Sequence, residues 1–289
     1  MKVTRRTFLA AAAGAMAAAR SFARIGKCMI GVAGPASDFD KTVRYGFDYH
    51  EGHVWEVAKM PEEEFAKFKD HVLASPIRCQ RFNLFIASWG DADSPAIRVV
   101  GPNVNLAAAR AYVEKSLPRC RQLGAEIVVW GSAASRNVPE GFSRERAWAQ
   151  IEDFLRMIDP IARSQNITIA IEPLRTAESN IINTGAEALK MVRELNLPNI
   201  KTMIDYFHLR TMNEDPEILW TGRQEIVHIH FANPHGRVWP RDPAEDSEYS
   251  RFFDLLKKIG YTGGITIEAK GTYEESAAAS LAFFRQELA

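Results

Sequence analysis

Two glutamates, one aspartate and one histidine close four successive apolar runs in the C-terminal half of this 289-residue chain. Glu172 ends Thr168-Ile-Ala-Ile-Glu172, Asp205 ends Lys201-Thr-Met-Ile-Asp205, His230 ends Ile226-Val-His-Ile-His230, and Glu268 ends Ile265-Thr-Ile-Glu268. Three carboxylates and one imidazole make a hard, oxygen-rich donor set that suits Mn2+ or Mg2+, with Co2+ and Zn2+ as alternatives. One divalent metal ion held by Glu172, Asp205, His230 and Glu268 is therefore the expected cofactor. Removing hydrogen beside a carbonyl creates an enediolate, whose charge is prohibitive unless a cation meets both oxygens. Two carboxylates on opposite sides of that plane could then take a proton from one face and return one on the other.

Residues so distant in sequence meet only if the fold delivers them to one point. A short β-branched run reads as a buried parallel strand, and in a β/α barrel the C-terminal ends of such strands face the active-site mouth. Cys28-Met-Ile-Gly-Val32 is the first such run, Phe47-Asp-Tyr-His50 a weaker second, Cys79 to Ile86 the third and Ile127-Val-Val-Trp130 the fourth. The four runs above then become strands five to eight. Helical spacing covers Pro61 to Ala74, Leu106 to Leu123, Arg144 to Gln165, Thr184 to Leu195, Glu248 to Ile259 and Tyr273 to Leu288. Glycine exits at Gly124 and Gly260 turn helices back toward the next strand. Eight alternations predict an α/β fold, a single (β/α)8 TIM barrel over residues 24–289.

The order Glu172, Asp205-x-x-His208, His228-x-His230, Glu268 resembles the xylose isomerase-like superfamily of sugar isomerases and epimerases. It is most similar to the branch holding the ketose 3-epimerases and the hydroxypyruvate isomerases. The resemblance spans the mature chain, although the first four strands match only in general character. It implies that Glu172, Asp205, His230 and Glu268 are metal ligands and that Glu172 and Glu268 also serve as the catalytic acid and base. It further implies that Glu178 and His208 contact substrate. Arg237 lies seven residues after His230, one further than the family's substrate arginine, and Arg241 competes with it for that role. The loop from Asn233 to Asp242 departs from the epimerase pattern, which leaves the sugar open.

Other readings divide on specific features. A lyase, either a keto-inositol dehydratase or a 3-keto-glycoside β-eliminating enzyme, starts from the same enediolate and stands as the alternative to an isomerase or epimerase. Apurinic-site endonucleases share the barrel and the Asp-x-x-His motif but need extra histidines on the early strands, and the third and fourth runs end without one. A non-catalytic sugar-binding protein would not need the intact carboxylates. His228 is assigned to the face of its strand opposite His230, as a packed or hydrogen-bonded side chain. Trp130, Trp89, Phe82 and Phe231 are core candidates before they are a wall for a sugar, and His50 and His53 are weaker candidates for the barrel mouth. Gly263-Gly264 precedes its strand and so sits at the wrong end of a barrel for a phosphate loop, which favours an unphosphorylated sugar or sugar derivative.

The N-terminus carries Thr4-Arg5-Arg6-Thr7-Phe8-Leu9, an alanine-rich stretch from Ala10 to Ala19, and Ser21-Phe22-Ala23. A charged start, an apolar segment too short to span a bilayer and small residues at a cleavage site read as an export signal over residues 1–23. Its arginine pair resembles the twin-arginine signal, so the expected location is the periplasm. Removing those residues leaves 32 basic against 36 acidic side chains, a net charge of about −4, which offers nucleic acid no broad basic surface. No stable membrane association is expected after cleavage, and self-association into a homo-oligomer is left open. The cysteines Cys28, Cys79 and Cys120 lie scattered in apolar segments without a CxxC pair and read as small core residues. Replacing Arg5 and Arg6 together by lysine should hold the protein in the cytoplasm, because a guanidinium pair rather than charge alone is recognised. Normal periplasmic recovery of that variant in a fractionation experiment would assign the chain to the general secretory route.

Overall fold

Strands buried on both faces must pair all their backbone groups within the sheet, and a closed barrel does so without leaving an edge. The computed structural model describes residues 28–86 and 97–289, so residues 1–23, where an export signal is expected, and Trp89 lie outside the described residues. Among these residues, strands β1 (Met29–Ala33), β2 (Tyr49–His53), β3 (Arg81–Asn83), β4 (Ile127–Trp130), β5 (Thr168–Ile171), β6 (Ile200–Asp205), β7 (Ile226–Phe231) and β8 (Gly264–Ile267) pair in parallel in that order. β8 pairs with β1 and closes the barrel.

Two strands differ from expectation. β2 begins at Tyr49 and runs on to His53, because Phe47 packs outward against Trp239 and Tyr273. β3 stops at Asn83, because Leu84 takes φ 51, a left-handed backbone that breaks the pairing. The six expected helices are present to within a residue at each end, and Asn105, Ser143 and Thr184 cap three of them, each accepting a backbone N–H of the first turn. Gly124 and Gly260 adopt φ 105 and 64 as helix exits require.

The outer core lies between the strands and the helices. Trp130 packs on Phe154 with ring centroids 5.0 Å apart, and Phe231 stacks on Tyr206 at 4.4 Å, so Trp130, Phe82 and Phe231 are core residues. His50 is also structural: its ring nitrogens meet Thr42 Oγ1 at 3.0 Å and the Gly34 carbonyl at 3.1 Å. Cys79 and Cys120 are buried free thiols and Cys28 is half-buried.

The barrel interior is unusual in carrying a polar layer. Tyr49 reaches across it so closely that a Cβ on Gly31 would lie 2.3 Å from its ring and one on Gly264 would lie 2.7 Å from its hydroxyl. Tyr49 Oη meets Thr266 Oγ1 at 2.7 Å, and Thr266 donates to Glu51 Oε2 at 2.5 Å. His228 corrects the sequence reading. Residues two apart on a strand share a face, and His228 and His230 both reach Glu51, at 2.9 and 2.7 Å.

Candidate metal and substrate site

Each of the four ligand candidates sits where its strand ends. Glu172 follows β5, and Arg136 donates to the carbonyls of Trp130 (2.8 Å) and Glu172 (2.5 Å), clamping the ends of β4 and β5 together. Asp205 closes β6 and caps the helix Tyr206–Thr211 by accepting from Phe207 N–H at 2.8 Å, which fixes one oxygen and leaves the other toward the mouth. His230 pairs across the sheet with Asp205 and lies beside Glu268 at the end of β8. One oxygen of each carboxylate and one ring nitrogen of His230 fall within 4.8 Å of one another.

The fit to a divalent cation rests on donor chemistry. His230 Nε2 donates to Glu51 Oε1, so Nδ1 turns toward Glu172 Oε1 and Glu268 Oε2, 3.3 Å from each. A carboxylate that orients an imidazole from behind is the usual support of a metal-ligating histidine. Three carboxylates face one guanidinium, Arg237, whose Nη2 lies 3.2 Å from Asp205 and 2.5 Å from Glu268. The carboxylates outnumber the guanidinium, so the group is one that a cation would stabilise. Glu51, His228 and His230 form a second acidic-imidazole group. Its atoms are in mutual hydrogen bonds, and through His230 it orients the first group.

The electrostatics separate the two catalytic candidates. Burial raises the carboxyl of Glu172, which is 5 % exposed. Burial acts on Glu268 in the same sense, yet the charges of Arg237 and His230 override it and hold that carboxyl below the usual range. Burial would lower His230, but Glu51 and then Glu268 raise it well above an ordinary imidazole.

A cavity of about 380 Å3 opens over these groups, lined by Asn83, Gly131, Glu178, His208 and Arg237 among others. Arg237 takes φ 55, stacks on Phe207 at 4.8 Å and sits 3.6 Å from Glu178. Arg241 instead pairs with Glu245 on the surface. His208 Nδ1 accepts from Arg175 N–H at 3.4 Å, and its buried Nε2 lies 3.4 Å from Asp205 Oδ2 without a hydrogen bond among the described residues. His53 reaches the rim, stacked on Trp55. Thus Glu172, Glu178, Asp205, His208, His230, Arg237 and Glu268 converge as the sequence suggested. Glu51, Asn83, Gly131 and Arg136 were missed. For Glu51 the available signal was a polar Tyr49-His-Glu-Gly-His53 run in an otherwise apolar strand position.

A closed β/α barrel with an acidic, imidazole-bearing mouth defines the class. Residues 39–287 match the Xylose isomerase-like TIM barrel family, and the chain belongs to it. It is 25 % identical to the 3-dehydro-D-guloside 4-epimerase of Escherichia coli over 185 residues, 60 % of this chain and 69 % of that one. It is 24 % identical to the D-psicose 3-epimerase of Agrobacterium fabrum over 236 residues, 79 % and 77 % of the two chains. A crystal structure of D-psicose 3-epimerase in the presence of D-fructose superposes with a TM-score of 0.76 at 19 % identity, covering 90 % of this chain and 99 % of that one. These relatives are sugar epimerases, which supports an enzyme.

Two substitutions test the geometry. A Cβ on Gly131 would lie 1.7 Å from Glu172 Oε2, so Gly131→Ala must displace that carboxylate. The variant should melt near the wild type yet bind Mn2+ far more weakly by calorimetry; unchanged affinity would remove Glu172 from the ligand set. Glu51→Gln puts an amide where two imidazole donors need an acceptor, and metal affinity should fall by about 10- to 100-fold. Wild-type affinity in that variant would show that His230 needs no support from behind.

Proposed function

We propose that the chain is a divalent-metal-dependent epimerase or isomerase of an unphosphorylated sugar or sugar derivative that carries a carbonyl beside a hydroxyl-bearing carbon. The observation that carries this reading is the convergence of Glu172, Asp205, His230 and Glu268, with donor atoms within 4.8 Å of one another, at one cavity together with Glu178, His208 and Arg237. Glu172, Asp205, His230 and Glu268 would hold the ion. It would supply positive charge where the substrate's oxygens become negative, and Mn2+ or Mg2+ suits the oxygen-rich donors.

The chain's own groups do the rest. One glutamate removes the proton beside the carbonyl and the other returns a proton on the opposite face, which inverts the carbon. His208 Nε2 offers a hydrogen bond to a substrate oxygen, and Arg237 and Glu178 orient hydroxyl groups across the cavity. Arg237 also keeps Glu268 ionised. Export by the segment at residues 1–23 would place the reaction on periplasmic sugars.

Incubating the metal-loaded protein in D2O with ketoses, keto-inositols and 3-keto glycosides should give deuterium at the carbon beside the carbonyl. Loss of water or of an aglycone would identify a lyase instead. Glu172→Gln and Glu268→Gln should each lose about 100-fold or more in rate, the scale of general acid–base catalysis, while retaining some metal. The variant lacking the second acid should still wash in deuterium without inverting the centre. Wild-type exchange and turnover in both variants, with metal bound, would reduce the two carboxylates to ligands or anchors.

A further inference from the structure

Asn83, the last residue of β3, is 3 % exposed and lines the cavity over the carboxylates. Its amide orientation follows from its neighbour. The Glu268 carboxylate only accepts, so the 3.1 Å contact to Glu268 Oε1 belongs to the Nδ2 donor. The amide oxygen is thereby turned away from Glu268, and no group among the described residues donates to it. A buried acceptor without a donor is unfavourable, and natural proteins keep few of them. The backbone beside it is also strained: Leu84 holds φ 51, a conformation a leucine rarely adopts, and lines the same cavity.

The cavity therefore contains two buried polar atoms of opposite kind that lack a hydrogen bond among the described residues, the histidine nitrogen lying 3.4 Å from Asp205 Oδ2 and the amide oxygen facing no donor. His208 Nε2 is a donor and Asn83 Oδ1 an acceptor. A carbonyl or ether oxygen satisfies the first. Only a donor satisfies the second, and in a polyhydroxylated ligand that donor is a free hydroxyl.

We propose that Asn83 is a substrate-binding residue: its Oδ1 accepts a hydrogen bond from a sugar hydroxyl on the Glu268 side of the cavity, while its Nδ2 holds the Glu268 carboxylate in place. This rests on the sugar reading above but not on the proton-transfer chemistry. An analogue without that hydroxyl leaves the amide oxygen dry, so the contact selects for the hydroxyl as well as adding affinity.

The test uses D-fructose and its unreactive reduction product sorbitol, bound to the metal-loaded protein and followed by calorimetry, with metal content and melting measured alongside. Asn83→Leu keeps the branched outline and removes both polar atoms, whereas Asn83→Ser retains a shorter hydroxyl. Both sugars should bind Asn83→Leu about tenfold more weakly and Asn83→Ser by a smaller factor, with metal content unchanged. On the turned-over substrate, KM should rise in proportion while kcat moves less. Binding within twofold of the wild type in Asn83→Leu overturns the proposal, and should that variant not fold, the same result in Asn83→Ser overturns it. A fall in kcat with KM unchanged and metal partly lost also overturns it, since Asn83 would then act only through Glu268. Asn83-dependent binding without deuterium exchange on any sugar would sink the epimerase reading and keep the contact. Failure of the wild type to bind either sugar or any of the keto-inositols and 3-keto glycosides above would overturn both.

Discussion

Like charge gathered away from water is the constraint around which this barrel mouth is organised. Glu172, Asp205 and Glu268 each bring an oxygen within 4.8 Å of the others, which is unfavourable without nearby positive charge or donors. Arg237 answers Asp205 and Glu268, Phe207 N–H answers the second oxygen of Asp205, Asn83 answers Glu268, and His230 faces both glutamates. What these groups leave uncompensated is negative. The arrangement thus offers a candidate cation site where the fold would otherwise have to relieve a repulsion by protonation, and burial already pushes Glu172 that way.

Support for the mouth comes from below and from the side. Below it, Tyr49, Thr266, Glu51 and the two histidines form a hydrogen-bonded layer where a barrel interior is more commonly aliphatic. That layer fixes which nitrogen of His230 faces the carboxylates. From the side, Asp246 accepts from Tyr206 Oη at 2.6 Å and from Arg210 Nε at 2.9 Å, tying the loop that carries Arg237 to the helix that carries His208. Leu84, Ile182 and Arg237 are non-glycine residues with positive φ in loops that follow β3, β5 and β7, whereas Asn166, Asn196 and Asn213 tolerate such backbones at helix exits. The less tolerable strain is thus concentrated on the side where the carboxylates converge, as expected where surrounding contacts hold a functional geometry.

The sequence carried the periodic features. β-branched runs followed by helical spacing and glycine exits announced a parallel barrel, and β4 lies over the residues expected of it. A carboxylate or imidazole at the end of each late strand announced the site, because strand ends in this fold share one mouth. Legibility failed where a residue's role depends on partners far away in the chain. Glu51 is an unremarked acid in a short, polar strand until His228 and His230, more than 170 residues on, close around it. The choice between Arg237 and Arg241 turned on a loop path that spacing does not determine.

His228 marks the boundary in another way, since two-residue periodicity puts it on the face of His230 and only its contact with Glu51 says what it does there. Gly131 is similar. In sequence it is a glycine after a strand; in three dimensions it is the gap that Glu172 fills, with no space for one more carbon. Local pattern is governed by burial and backbone pairing, which repeat along the chain and can be read from it. The charge balance, the histidine tautomer and the orientation of the Asn83 amide arise from side chains meeting across the barrel, so only the tertiary structure decides them.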